Sequence, residues 1–377
     1  MSTRRRSCRA RGSHRRLRAR RSPRSRRTPA ASSACRRPVG DPPVIAYGGD
    51  VPSTTEPAIT EHLERVPADV AAETRAFNAR LEEQLSTQPP VDSVPPALVR
   101  AARRAGKSIF PAPVLLPEMT EIAVPGRAGP VRLRVARPTG CVTPRGVYLH
   151  IHGGGWMFGA ADFQDTALVD LANAVGVVVA SVEYRLAPEH PYPAGVDDCE
   201  DAASWLLEHG AAVFGTPSRF SIGGESAGAH LAVLTLLRVG RADAFSAANL
   251  VYGAFDLSMT PSQRAWGDRN LVLSTPIIEY FCASFVPGLL LEDRRAPHIS
   301  PLYADLRGLP PALFTVGTLD PLFDDSILMA RRWRAAGGHS ELRIWPDAVH
   351  GFTSFPLGIA RLADAAQFEF LARAHRA

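Results

Sequence analysis

The sequence predicts an α/β fold with a mostly parallel central sheet flanked by helices. From about residue 118 onward, short apolar runs typical of strands alternate with amphipathic stretches typical of helices. This alternation favours a parallel sheet covered on both faces. The chain has 377 residues, 45% of them hydrophobic, which is enough for one large domain with insertions or for two small domains.

The predicted elements follow one another in a regular order. A helical stripe at 67–86 and a short helix at 97–105 precede the sheet, and 120–136 has the alternation of an antiparallel hairpin. Further strands are expected at 147–151, 177–182, 220–222, 250–252, 313–316 and 342–345. Helices are expected near 163–175, 197–209, 227–238, 325–337 and 359–374.

The first 40 residues differ from the rest in charge. They contain 15 arginines and no acidic residue, whereas beyond them 28 basic residues face 37 acidic ones, a net charge of −9. No nucleic-acid partner is therefore expected for the folded domain. The segment has the composition of a transit peptide or of a basic arm for nucleic acid or anionic lipid. We expect instead a disordered tail or a misassigned start, because so few apolar residues cannot bury a core.

The cysteines are scattered and odd in number: Cys8, Cys35, Cys141, Cys199 and Cys282. Without a paired spacing they predict neither a disulfide framework nor a zinc site, and reduced thiols favour a cytoplasmic location. No apolar run reaches 18 residues, so no membrane span is expected.

A Gly-x-Ser-x-Gly pattern at 224–228 lies between a predicted strand and an apolar helical run. This context is typical of a nucleophile held on a sharp turn, which identifies Ser226 as the candidate. The flanking glycines remove Cβ atoms that would clash in such a turn. The helix that follows directs free N–H groups towards a developing oxyanion.

Three consecutive glycines follow the strand at 147–151. Their backbone N–H groups can bind an anion, with the N–H of Ala227 as a further donor. We expect His152, at the start of this loop, to shape the turn rather than act as a base. His150 is assigned no role.

A candidate acid and a candidate base follow the last two strands. Asp320 stands just past the strand at 313–316, at the edge of a parallel sheet where catalytic groups gather. Asp324 and Asp325 are close rivals, although Asp325 or Ser326 is predicted to be the N-cap of a helix beginning at 327. His350 follows the last strand by a short loop.

Five motifs in a fixed order resemble one known family. They are HGGGW at 152–156, YRLAPEHPYPAGVDD at 184–198, GGESAGAHLA at 223–232, GTLDPLFDDS at 317–326 and VHGF at 349–352. Together they are similar to the hormone-sensitive-lipase-like, bacterial type IV branch of the α/β-hydrolases, in which the triad follows the order Ser, Asp, His. The resemblance covers about 110 to the C-terminus.

The resemblance implies both a site and a domain organisation. It implies a triad of Ser226, Asp320 and His350 and an oxyanion hole from Gly154, Gly155 and Ala227, with Glu225 and the loop at 184–191 as scaffold. It also implies a helical cap. We expect a basic tail at 1–40, a linker and cap helices at 41–110, and an α/β-hydrolase catalytic domain at 111–377 with a cap insertion at 256–310.

The expected activity is that of a serine carboxylesterase on short- to medium-chain acyl esters, through an acyl-enzyme and without metal or organic cofactor. An amidase or N-deacetylase acting on a small acetylated metabolite stays open, because the same triad serves both. The expected partner is a small-molecule ester, and a homodimer is the assembly considered. Bulky residues near the motifs are expected to wall off the acyl side: Trp156, Phe158, Phe352 and Phe355.

Deleting residues 1–40 should leave activity and melting temperature unchanged, because the segment has no apolar face to add to a core. Thermal unfolding and turnover of the shortened protein check this. A large loss of folded, active protein would contradict it, and mass spectrometry of the native N-terminus would show whether the segment is made.

Overall fold

The computed structural model describes residues 63–376. The predicted tail at 1–40 and the first part of the predicted 41–110 segment, up to residue 62, lie outside these residues. The described part contains an eight-stranded sheet with the strand order β1-β2-β4-β3-β5-β6-β7-β8. The strands are β1 (Thr120–Val124), β2 (Val131–Ala136), β3 (Val147–Ile151), β4 (Val178–Glu183), β5 (Phe220–Glu225), β6 (Phe245–Val251), β7 (Ala312–Leu319) and β8 (Ser340–Val349).

The sheet is mostly parallel, as predicted. Only the first two strands depart: β1 pairs antiparallel with β2, and β2 pairs antiparallel with β4. The pairs from β4 through β3 and β5 to β8 are all parallel. The hairpin expected at 120–136 is confirmed, and the carboxyl ends of β3, β5, β7 and β8 meet at one edge.

Ten α-helices occur between residues 63 and 376. They are α1 (Ala68–Ser86), α2 (Pro96–Arg104), α3 (Asp165–Val175), α4 (Ala194–Trp205), α5 (Ala211–Phe214), α6 (Ala227–Arg238), α7 (Pro261–Trp266), α8 (Thr275–Phe285), α9 (Phe323–Ala335) and α10 (Gly358–Ala374). A π-helical turn at Leu206–Gly210 joins α4 to α5.

Helices cover both faces of the sheet, because successive strand residues point to opposite sides. Tyr148 faces α3 and α10, in a core that also holds Leu171 and Phe370. Its neighbour Leu149 faces the other way, into the larger core formed with α4, α6 and α9. Trp333 of α9 is fully buried there. The prediction of a sheet covered on both faces is confirmed.

Two predicted boundaries were wrong. The strand expected at 250–252 is the end of β6, which begins at Phe245. Its first half is rich in small residues such as Ala247 and Ala248, whose β character comes from pairing with β5 and β7 rather than from intrinsic propensity. The helix expected to begin at 327 begins at Phe323, so Asp325 lies inside α9.

Asp325 is therefore not an N-cap residue. Its buried carboxylate accepts hydrogen bonds from the backbone N–H groups of Phe255 and Asp256, at 2.7 and 2.9 Å. It also accepts from the side chains of Thr260 and Gln263, at 2.7 and 2.6 Å. These four bonds fasten the start of the 256–310 segment to α9.

The 256–310 segment connects β6 to β7 and carries α7 and α8. No strand occurs in it, as predicted; its one β-type contact is an isolated bridge between Leu271 and Leu273. Within residues 63–376 no helix has the length and apolar character needed to cross a membrane.

Candidate active site

Ser226 lies on a sharp turn between β5 and α6. Its backbone has φ 55° and ψ −119°, a conformation that an L-residue adopts only under strain. A Cβ on Gly224 or Gly228 would lie 2.0 or 1.9 Å from the carbonyl oxygen of Ile151 at the end of β3. The expectation that both glycines are needed to avoid clashes is confirmed, and the turn presents Ser226 at the carboxyl edge of the sheet.

The structure brings Ser226, His350 and Asp320 into one hydrogen-bonded row. His350 Nε2 lies 2.9 Å from Ser226 Oγ, and its Nδ1 lies 2.9 Å from Asp320 Oδ2. Because a carboxylate can only accept, Nδ1 carries the proton and Nε2 is free to accept from the serine hydroxyl. His350 and Asp320 are both buried, and Asp320 Oδ1 also accepts from the N–H of Leu322 at 2.8 Å.

The rival carboxylates lie elsewhere. Asp324 is in the first turn of α9, where it accepts a hydrogen bond from the backbone N–H of Ser262 at 2.9 Å. The carboxylate of Asp325 accepts hydrogen bonds from the four donors that hold the 256–310 segment. Asp320 is the acidic side chain that contacts His350 in residues 63–376.

The glycine loop after β3 is shaped by close contacts. Gly154 and Gly155 have φ of +112° and +59°, which favour glycine. A Cβ on Gly154 would lie 2.4 Å from the nitrogen of Gly159, and one on Gly155 would lie 2.4 Å from the ring of Phe281 in α8. Within residues 63–376 the N–H groups of Gly154, Gly155 and Ala227 donate to no other group, so they remain available to an oxyanion.

His152 is buried under this loop and contacts its neighbours. Its Nδ1 donates to the carbonyl of Gly153 at 2.9 Å, and its ring stacks on Tyr184 at 4.2 Å between centroids. Burial lowers the pKa of His152 to about 3, so the ring is neutral near pH 7. These contacts fit the turn-shaping role that we expected.

One interaction beside Ser226 was missed. His150, to which no role was assigned, is buried and lies with Nε2 3.1 Å from Glu225 Oε2 and Nδ1 2.8 Å from Ser181 Oγ. It thereby holds the carboxylate next to Ser226. The sequence gives little sign of this, because the three residues belong to different strands and meet only across the sheet.

A cavity of about 220 Å³ opens above Ser226 and His350. Its wall includes apolar residues from α1, α2 and α8 and from the segments before and after α2 and before α8, namely Leu85, Val91, Val99, Ile109, Phe110, Val272, Leu273, Ile277 and Phe281. The cavity is therefore bounded by both segments that were expected to form a cap.

The predicted aromatic wall is wrong for three of four residues. Phe158 lines the cavity, but Trp156 is buried, stacks on Phe285 and donates to His230. Phe352 and Phe355 are also buried within the core cluster. These three aromatic side chains are close to the motifs in the sequence, but they pack inward against the core and do not reach the cavity.

Comparisons with known proteins identify relatives of this chain. A family model described as alpha/beta hydrolase fold matches residues 148–354, a range that contains Ser226, Asp320 and His350. The carboxylesterase NlhH of Mycobacterium tuberculosis is 38% identical over 282 residues, covering 71% of this chain and 86% of the relative.

Solved structures are similar as well. An esterase of Pyrobaculum calidifontis superposes with a TM-score of 0.70 at 29% identity, covering 78% of this chain and 98% of the other. A hormone-sensitive lipase from a metagenome library superposes with a TM-score of 0.69 at 28% identity, covering 80% and 98%.

Proposed function

The chain belongs to the alpha/beta hydrolase fold family, in its hormone-sensitive-lipase-like branch, and we propose that it is a carboxylesterase acting on short- to medium-chain acyl esters. The observation that carries the proposal is the hydrogen-bonded row of Ser226, His350 and Asp320 beneath an apolar cavity. Relatives described as a carboxylesterase and as esterases support it.

In the proposed reaction Ser226 Oγ attacks the ester carbonyl while His350 Nε2 takes its proton. Asp320 keeps the proton on Nδ1 and stabilises the imidazolium that forms. His350 then protonates the leaving alcohol, and an acyl-enzyme remains on Ser226. Water, activated by the same imidazole, attacks the acyl-enzyme and releases the acid.

The proposed oxyanion hole consists of the N–H groups of Gly154, Gly155 and Ala227. These amides are unoccupied and lie on the loop and helix that flank Ser226. A fixed donor aimed at the tetrahedral oxyanion contributes about 3–4 kcal/mol in comparable sites. Because the amides belong to rigid backbone, little reorganisation is needed when the charge develops.

We propose that α1, α2 and the 256–310 segment form the cap and set the substrate length. Their side chains contribute apolar wall to a cavity of only about 220 Å³. Each buried methylene adds about 0.8 kcal/mol to binding until the space is filled. A small, largely apolar cavity therefore favours a short acyl chain over a long lipid chain.

We also propose a cytoplasmic location. Among the cysteines of residues 63–376, Cys199 and Cys282 are buried free thiols and Cys141 is an exposed one. An unpaired exposed thiol fits a reducing compartment. The homodimer stays a prediction.

The test is kcat/KM measured across p-nitrophenyl esters of increasing chain length, beside matched N-acyl amides. We expect the highest value between about two and eight acyl carbons, because longer chains exceed the cavity. Ester turnover should exceed amide turnover on the same acyl group. An optimum at twelve carbons or more would refute the short cavity, and faster amide turnover would favour the amidase or N-deacetylase.

A further inference from the structure

Arg103, in the last turn of α2, presents a cation to the cavity above Ser226. The side chain is partly buried and its guanidinium lies 4.4 Å from the ring centroid of Phe110 and 5.2 Å from that of Phe163. Two aromatic faces thus hold the group in place through cation–π contacts. Both rings line the cavity beside it.

The other arginines of the same helix are paired. Arg100 binds Glu189 at 2.7 Å and the carbonyl oxygens of Met157 and Ala187, and Arg104 binds Asp162 at 2.8 Å. Arg103 differs. No carboxylate or carbonyl of residues 63–376 accepts a hydrogen bond from its guanidinium.

The acidic groups nearest the cavity are already engaged. Glu225 lines the wall but binds His150. Burial lowers the pKa of Arg103 to about 10, so the group remains charged near neutral pH. The positive charge of Arg103 further lowers the pKa of the nearby His152. His152 is therefore neutral and supplies no negative charge to balance Arg103. A partly desolvated charge without an anionic partner is costly, and an anion in the cavity would relieve that cost.

The position of Arg103 fits a ligand that extends past the reacting carbonyl. A second cavity, of about 200 Å³, adjoins the first and shares Arg103, Phe110 and Phe163 with it. Asp165, the one acidic residue lining that second cavity, is bound by Arg134 at 2.6 Å. Arg103 is the one cationic side chain that lines either space in the described part of the chain.

We propose that Arg103 binds a carboxylate carried by the substrate, so that the enzyme selects esters with a second, anionic group, such as half-esters of dicarboxylic acids. A guanidinium fork matches a carboxylate in a two-point hydrogen bond. The inference rests on the proposed esterase function and names the substrate class of that same site. Arg103 is then a specificity residue, and takes no part in the bond-breaking steps.

The test compares mono-p-nitrophenyl adipate with p-nitrophenyl hexanoate, which has the same chain length but no charge. In the unmodified protein kcat/KM should be higher for the adipate half-ester, and the difference should shrink as salt screens the pair. In Arg103→Gln the ratio of the two kcat/KM values should fall at least tenfold, mainly through KM. Arg103→Lys, which keeps the charge without the fork, should recover part of the ratio.

Arg75→Gln is the matched control, because it removes the same charge from α1, at an exposed side chain that lines neither cavity. The ratio of the two kcat/KM values in this variant should equal that of the unmodified protein. A fall as large as that in Arg103→Gln would mean that general charge, not contact, selects the substrate, and would overturn the proposal. An unchanged ratio in Arg103→Gln, or an equal loss on both esters, would also overturn it, the latter by indicating a packing role. If Arg103→Gln does not fold, preference of the unmodified protein for the neutral ester is sufficient refutation. Hydrolysis of the neutral ester, and its dependence on Ser226, tests the esterase function separately.

Discussion

Ser226→Ala is expected to lower kcat/KM for p-nitrophenyl esters by at least about three orders of magnitude. The alanine lacks the oxygen that His350 Nε2 contacts at 2.9 Å, so no acyl-enzyme can form. Steady-state and burst kinetics on the purified variant measure the loss. Thermal unfolding should show a folded protein, because the substitution removes one oxygen and only the hydrogen bond to His350 Nε2 is lost.

A folded Ser226→Ala protein with near-normal turnover would refute the proposed mechanism entirely. Binding of an unreacted ester to the variant provides the control. The variant should still be protected against thermal unfolding by a short-chain ester, since the cavity wall is unchanged. Loss of that protection would indicate that the site had collapsed, and the kinetic comparison would then need a gentler substitution such as Ser226→Gly.

Asp320→Asn should be similarly damaging, with kcat reduced by about 10⁴-fold. The amide of asparagine can donate to His350 Nδ1, which favours the tautomer whose proton sits on Nε2. That tautomer cannot accept the proton of Ser226. The fold should be kept, because asparagine has the same shape as aspartate and its oxygen can still accept from the N–H of Leu322.

Asp324→Asn is the matched control for this substitution. It makes the same chemical change four residues later, at a side chain that contacts Ser262 rather than His350. We expect less than a threefold change in kcat, well below the effect at Asp320. If Asp324→Asn were the more damaging of the two, the assignment of the acid would be wrong.

The catalytic residues at the strand ends could be predicted from the sequence, because each of them follows a recognisable strand pattern. Ser226 and Asp320 follow apolar runs short enough to be strands, and parallel strands bring their carboxyl ends together at one edge. His350 follows the last such run. The distances between these three side chains then depend on how the strands are arranged in the sheet. The alternation of strands and helices in the sequence predicts that arrangement as mostly parallel.

What was missed depends on contacts between distant segments. Asp325 has the local sequence of an N-cap, yet helix α9 begins earlier and its carboxylate serves backbone donors about 70 residues away. His150 meets Glu225 only across the sheet, and Trp156 turns inward onto Phe285. Arg103 lies in a helix rich in arginine, and only the three-dimensional structure separates the unpaired one from its paired neighbours.

The wall of the cavity has a consequence for how this enzyme can be altered. Much of it comes from residues 85–110, whereas Ser226, Asp320, His350 and the glycine loop all fall within 148–354, the range that the family model matches. Substrate choice therefore depends in part on a stretch of the chain that holds none of the catalytic residues. Exchanging 85–110 for the corresponding stretch of a relative should shift selectivity in part while leaving Ser226, Asp320 and His350 unchanged, which makes this stretch a natural site for redesign.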